Sequence, residues 1–311
     1  VKTPPNPRSA ALRRFGVSIT ALTILGHTIL GFEQAYATPM VAVLAAIATE
    51  LVLDSIDAAA HRRRPRYLAQ PGKVIDFLLP AYIAGLATAL LLYANENLWP
   101  YVLAAVTAIS SKYLIRVRLG HRLRHVLNPS NAGIVAVLLL FPWVGIAPPY
   151  EFTEWVSGPI YALIPALLLV AGTMLNATLT KKVPLILGWL GGFAVQALVR
   201  GAFDDISVIS ALLPMTGTAF VLFTNYMITD PGTTPIRPRN QVAFGAAIAA
   251  AYGVLVALHV VFGLFFALMI VCALRGFGLV VLARTAARTK PAAAPEPVPV
   301  PPVAVPSPGQ A

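Results

Sequence analysis

Charged side chains are scarce in this chain. Asp, Glu, Lys and Arg make up only 11% of its 311 residues, while 58% are hydrophobic. An ordinary soluble domain carries roughly 25% charged residues. With a mean hydropathy of +0.76, the chain has too little polar surface to cover a water-facing fold, so it reads as a polytopic membrane protein. Acidic residues are scarcer still, 12 against 23 basic, which leaves a formal charge of +11. That excess does not point to nucleic acid, because no basic stretch with interleaved aromatic residues forms a soluble face. In a membrane protein, basic residues collect in the loops of one side. The single cysteine, Cys272, excludes an intrachain disulfide and a cysteine-based zinc or iron–sulfur site within the chain. Also missing are a Gly-rich phosphate loop, a catalytic-triad motif and HExxH. No small-residue cleavage pattern follows the first apolar run, so the chain is read as starting at its own N-terminus.

Long apolar runs dominate what is present. A bilayer core of about 30 Å needs about 20 apolar helical residues. On that ruler ten spans are expected, near 15–31, 38–55, 75–93, 98–115, 130–147, 159–176, 183–199 and 207–228, with two more sharing 241–283 around a turn near His259–Gly263. The fold class expected is an all-α polytopic membrane protein. It has an N-terminal arm (1–14), a transmembrane domain (15–283) and a Pro/Ala-rich tail (284–311) that favours extended, unpacked backbone.

The charges alternate with these spans. With the N-terminus in the cytoplasm, Arg8, Arg13, Arg14, the cluster Arg62–Arg66, Arg116–Arg124, Lys181, Lys182, Arg237, Arg239 and Arg284–Lys290 fall on one side. Glu33, Glu96, Glu151, Glu154, Asp204 and Asp205 fall on the other, with Arg200 as the only basic residue there. The positive-inside rule then places both termini in the cytoplasm of a bacterial inner membrane.

Ionisable groups inside spans are candidate functional residues. Glu50, Asp54 and Asp57 share one helical face at the inner end of the second span. They read either as an interfacial ion-pair patch or, through the deeper Glu50, as a proton or cation relay. Asp76 starts the third span, where a carboxylate is favoured by the helix dipole. His27, in the first span, reads as a cofactor contact, a proton relay, or an imidazole hydrogen-bonded to a neighbouring helix. His121 and His125 stand four apart, but arginines alternate between them and no carboxylate or cysteine lies nearby. An anion such as a phosphate, lipid headgroup or flavin phosphate suits that stretch better than a metal, and no metal site is expected.

Two polar breaks resemble helix starts on the cytoplasmic side, Asn128-Pro129-Ser130-Asn131 and Thr229-Asp230-Pro231-Gly232-Thr233-Thr234-Pro235. Capping explains such patterns. Non-helical backbone at membrane depth also lines cavities. Candidate ligand contacts between the two breaks are Arg122, His125, Asn128, Ser130, Thr229, Asp230 and Thr233. Pro214, Thr216 and Gly217 mark a further break within the eighth span.

Three segments in this order resemble the NqrB/RnfD family, the integral-membrane subunits of the sodium-pumping NADH:quinone reductase and the Rnf electron-transfer complex. HVLNPSNAGIVAVLLLFP looks like the family's FNPA…FP segment, KKVPLILGWLGGF like its helix with paired glycines, and FTNYMITDPGTTP like its ATDPVT segment. The resemblance covers about Ser110 to Leu274, roughly half the chain. It implies a ten-helix bundle with internally repeated halves. Flavin-carrying members attach FMN through the threonine of an S-G-A-T type motif. Here Ser157-Gly158 are followed by Pro159-Ile160, and isoleucine has no hydroxyl to form the phosphoester, so no covalent FMN is expected. A branch without the flavin motif, the UnbU-type proteins found beside enediyne biosynthesis genes, is similar in length, composition and basic second loop.

The resemblance implies an RnfD-like membrane subunit that assists electron or ion transfer, with a noncovalent flavin or quinone as its cofactor. A transporter or channel for a small molecule tied to natural-product biosynthesis is the alternative. A structural membrane partner within a redox or biosynthetic complex is a third. None of the three reads as a stand-alone enzyme.

Overall fold

In a computed structural model of the chain, the described residues are 7–119, 122–148, 154–203 and 206–289. The expected extended tail from Pro291, His121, Glu151, Asp204 and Asp205 lie outside them. Almost everything described is helix. The first helix, α1 (Pro7–Leu25), ends in a π-helical turn, Gly26–Leu30. It is followed by α2 (Ala37–Ala60), a short α3 (Arg66–Ala69), α4 (Val74–Leu91), α5 (Trp99–Leu114) and α6 (Pro129–Leu140). The second part of the chain begins with α7 (Pro159–Leu175), which ends in the π-helical turn Asn176–Thr180, and continues with α8 (Val183–Phe203). A broken segment follows: α9 (Val208–Leu212), a 3-10 turn (Leu213–Thr216), α10 (Thr218–Leu222) and a π-helical turn (Phe223–Met227). The chain then forms α11 (Pro238–Ala257) and α12 (Gly263–Thr289). Two small antiparallel ladders complete the fold. β1 (Leu92–Tyr93) pairs with β4 (Gly145–Ile146), and β2 (Arg116–Leu119) pairs with β3 (Arg122–His125).

Six of these helices are long and apolar enough to cross a membrane, or seven if the pair bent by 68° at Gly217 is one span. The chain is therefore an all-α membrane protein. Many of its large apolar side chains, Val17, Leu44, Leu167 and Leu274 among them, face outward, as lipid contact requires.

Several boundaries differ from the sequence reading. The first helix begins at Pro7 and includes Arg8, Arg13 and Arg14. At the other end, α12 runs on to Thr289. The expected span 130–147 is a helix of only 12 residues, about 18 Å long. Pro142 ends it, since proline disfavours helical backbone at the residue before it and has no N–H to donate. The chain then turns into β4. The break at Pro214–Gly217 is present, and the turn between α11 and α12 lies at 258–262, with positive φ at His259 and Phe262.

Contacts gather the termini of the helices at two ends. At one end lie the start of α1, the end of α2, α3, the end of α5, the β2–β3 hairpin and the turn before α11. At the other, Gln34 donates to Ala89 O (2.7 Å) and Trp155 N–H to Leu30 O (3.1 Å). The basic segments share the first end, and Glu33, Glu96 and Glu154 the second. In the interior, α8 and α11 approach closely because Gly245 has no side chain; a Cβ there would stand 2.3 Å from Leu185 O. Small residues permit such backbone approach between apolar helices. Likewise a Cβ on Gly133 would meet Ala104 O at 2.1 Å, so α6 lies flush on α5. Trp189 anchors the broken segment to α8. Its ring packs on Phe193, Phe220 and Phe223, and its indole N–H donates to Thr224 Oγ1 (2.9 Å).

Candidate functional site

The two polar breaks meet. Asn128 caps α6 as its sequence suggests: its Oδ1 accepts from Asn131 N–H (3.1 Å) and from the Ser130 hydroxyl (2.9 Å). Its Nδ2 then reaches across to donate to Met227 O (2.9 Å), at the end of the π-helical turn. A π turn leaves its last carbonyls without the usual helical donors, so a side-chain amide is a fitting partner. One bond thus fixes the start of α6 against the segment that leads into Thr229–Pro235.

That segment is a tight turn organised by Asp230. The carboxylate accepts from Gly232 N–H (3.1 Å) and the Thr233 hydroxyl (2.9 Å), and the backbone carbonyl accepts from the Thr234 hydroxyl (2.6 Å). His125, the last residue of β3, stands with Nε2 3.7 Å from Asp230 Oδ2. Burial pushes the Asp230 carboxyl up, but His125, the Gly232 N–H and the Thr233 hydroxyl outweigh it and hold it well below the usual carboxylate range. Two cations brace the turn from behind. Lys182 Nζ donates to Pro235 O (2.6 Å) and Arg275 Nη1 to Thr233 O (2.7 Å). Lys182 is buried at the junction of α7 and α8, and burial brings its ammonium down to about 8 although Asp230 opposes the shift.

A pocket open to solvent, of about 940 Å³ with that open space included, lies between this turn, α1, α4, α6 and the end of α7. Lys112, His125, Ser130, Tyr226 and Asp230 are among its polar lining residues. A second pocket, also open, lies beside it along α1, lined by Ile19, Leu22, Leu90, Leu168 and Leu222. Phe15, Ile83, Ser130 and Tyr226 border both. Phe15 and Tyr226 stack with ring centroids 5.0 Å apart. The wall made by α1 is tied to α4 by Arg13, whose guanidinium donates to both Asp76 oxygens (2.7 and 2.9 Å).

Of the seven candidate contacts, His125, Asn128, Ser130, Thr229 and Asp230 line the larger cavity. Thr233 is buried and committed within the turn. Arg122 sits opposite Leu119 in the β2–β3 ladder. The three candidates for an ion or proton path are not brought together. Asp76 pairs with Arg13 at the surface. Glu50 is buried, accepting from Lys112 Nζ (2.5 Å) and the Tyr113 hydroxyl (2.9 Å). His27 lies towards the opposite end, and its Nδ1 contacts Thr23 O of its own helix (2.8 Å), not a neighbouring one. An i−4 carbonyl lies directly below a helical side chain, and here it is nearer than any other helix. The buried His27 Nε2 has no partner among the described residues.

The sequence reading missed Lys112, Tyr226, Lys182 and Arg275 as site residues. Arg275 interrupts the run 241–283, and Lys112 ends the fourth span, so both were visible as charges inside apolar stretches. Among the described residues no group of three or more His, Cys, Asp or Glu could hold a metal ion. At the loop where the resemblance would put a covalent flavin, Ser157 and Gly158 precede Pro159, the first residue of α7. The residue after it is Ile160. No protein-family model matches the chain, and no curated protein matches it significantly.

Proposed function

We propose that the chain is an NqrB/RnfD-like integral membrane subunit that assists electron or ion transfer and holds a noncovalent flavin or quinone in the cavity beside Asp230. The observation that carries this reading is the meeting of the NP and DP turns on one cavity with a polar mouth, beside an apolar pocket that shares Phe15, Ile83, Ser130 and Tyr226 with it. Pockets for ring cofactors have this character: mostly apolar walls with a few convergent polar groups. Tyr226, His125 and Lys112 are the groups that would orient a ring carbonyl, and Phe15 is the aromatic surface beside it. A bound flavin or quinone supplies the redox chemistry, while the chain supplies orientation and exclusion of water.

Ten spans follow if three shorter elements are added to the seven of adequate length. These are α1 with its π-helical turn, the 16-residue α5 and the 12-residue α6. A helix as short as α6 fits a span only when its start lies within the bilayer depth, facing a cavity, and its Asn128-Pro129 start does border one. The basic end then faces the cytoplasm of a bacterial inner membrane.

A second reading, a transporter for a small molecule, is favoured by the 68° bend at Gly217, since discontinuous helices are a recurring feature of transporter binding sites. The absorption spectrum of detergent-purified protein, before and after acid precipitation, separates the two. Flavin released into the supernatant, or quinone in an organic extract, is the expected result. Colourless protein without quinone, whose vesicles move a solute, overturns the redox reading in favour of transport.

A further inference from the structure

We infer that the seam between the β2–β3 hairpin and α12 binds the phosphate of an anionic phospholipid through Arg124 and Arg275, with the acyl chains lying on Leu274 and Phe277. This site is separate from the cavity and does not depend on what the cavity holds.

The register of the hairpin brings the two guanidiniums together. Arg124 stands directly opposite Val117 in the ladder, so both side chains project from one face. Val117 is buried and β2 packs on α12, so that face is turned to the helix. Val126, two residues further on, lies close against Gly276; a Cβ on that glycine would stand 2.1 Å from the valine Cγ1. Arg275 is the residue before the glycine. Its Nη1 donates to Thr233 O (2.7 Å), and the Arg124 charge is near enough to oppose its own.

Neither guanidinium meets a carboxylate. At this end of the bundle Asp54, Asp57 and Asp76 are taken by Arg63, Arg66 and Arg13, Glu50 by Lys112, and Asp230 by His125. Arg275 has five donors, and the bond to Thr233 O uses one of them. Arg124 is half-buried, and its side chain makes no hydrogen bond or ion pair with any described residue. The positive-inside rule explains why cations collect at one end. It does not explain two guanidiniums drawn together in a partly buried seam, where they repel unless an anion lies between them. A phosphate is the matching group, because a guanidinium fork meets two of its oxygens at once.

The surroundings select the carrier of that phosphate. Leu274 and Phe277 flank Arg275 on α12 and are 65% and 71% exposed. On a membrane helix such side chains face lipid. The seam therefore offers its cations beside an acyl surface, as do the basic clefts between helices that take anionic headgroups. No acid is left there to accept the ammonium of a zwitterionic headgroup, so a lipid of net negative charge is preferred.

The test is native mass spectrometry of the full chain, delipidated in a neutral maltoside and titrated with phosphatidylglycerol or with phosphatidylcholine of the same acyl chains. Phosphatidylglycerol is expected to bind about fivefold or more tightly, the scale of one basic residue near a membrane surface. Equal affinities overturn the inference. Arg124 has no partner among the described residues, so Arg124→Gln is expected to leave the melting temperature of the delipidated protein unchanged while removing the preference for phosphatidylglycerol. A preference retained in Arg124→Gln overturns the site. Arg118, exposed on the opposite face of the same hairpin, supplies the control: Arg118→Gln is expected to keep the preference. An equal loss in both variants would mean that the whole basic end attracts anionic lipid, and overturns the seam as a site. Glycerol phosphate, the headgroup without chains, is expected not to compete at the same concentration as the lipid. Competition there would make the seam a site for a soluble phosphate and overturn the lipid assignment.

Discussion

The acidic face of α2 and the turn at Thr229–Pro235 lie at the same end of the bundle and use the same kinds of side chain, yet they differ in what is left over. On α2, Asp54 is fully buried and takes Arg63 Nη2 (2.8 Å), Arg66 Nε (2.8 Å) and Arg66 N–H (2.6 Å). Asp57 takes Arg63 (2.6 Å) and faces Arg116 (3.6 Å). These contacts fasten the loop after α2 back onto its own helix and onto α5. Asp54 and Asp57 each have their cations, and that pair closes on itself. The turn at Asp230 also satisfies its carboxylate, but it borders open space and has cations to spare. Three acids on one helical face are the louder signal in the sequence, and the structure makes them a staple. The quieter turn is the one that borders the cavity.

The largest expected effect breaks the first half of that comparison. Asp54→Ala removes the only carboxylate facing Arg66 N–H and leaves two guanidiniums without it. The guanidiniums left behind are partly exposed, so losing these charge-assisted hydrogen bonds costs about 3 kcal/mol; the variant is expected to lose that much stability in a denaturant or thermal unfolding series in detergent, while the fraction that remains folded binds cavity ligands normally. A stable Asp54→Ala protein that no longer binds ligand would make the α2 face the site and the turn the staple.

Asp230→Asn is expected to have a smaller effect on stability, about 1–3 kcal/mol for a charge-assisted network that keeps its shape, and a larger one on the site. The amide still accepts from Gly232 N–H, but it no longer faces His125 as a charge, so the imidazole loses its fixed orientation. Ligand affinity measured by thermal shift should fall more than the melting temperature of the free protein. Equal falls in both would reduce the turn to another structural clasp.

The parts of this arrangement that were legible in the sequence are those decided locally. An asparagine before Pro129 caps a helix whatever surrounds it, and Pro214 with Gly217 breaks one. The sidedness of the loops was legible because it is counted along the chain. The end of α6 was misread because hydropathy continues through Phe141 and Trp143, and Pro142 was the residue to weigh. The three π-helical turns have no local signature here. The cavity could not be read at all, since it joins Phe15, Lys112, His125 and Tyr226, which only packing brings together. Lys112 was passed over because a lysine at the end of a span is first explained by topology, and its pairing with Glu50 joins residues 62 apart in the chain.

The smallest expected effect sharpens the comparison by pH. Lys182 is depressed to about 8 from an ordinary 10.5, so between those values the folded chain binds fewer protons than the unfolded one. Stability must then rise with pH across that window, by at most about 1.4 kcal/mol per pH unit for one group. Asp230 works in the opposite sense. Its folded value lies below the unfolded one, so its contribution is complete above the ordinary carboxylate range and is lost as pH falls below it. The paired arginines of the α2 face stay charged throughout the alkaline window and add no slope of their own. Melting temperatures from about pH 7.5 to 10 should therefore climb more steeply, or fall less steeply, in the parent chain than in Lys182→Met. Parallel curves would mean that the Lys182 ammonium is as well solvated in the fold as in water, and that the cations behind the turn are not confined as the cavity's electrostatics require.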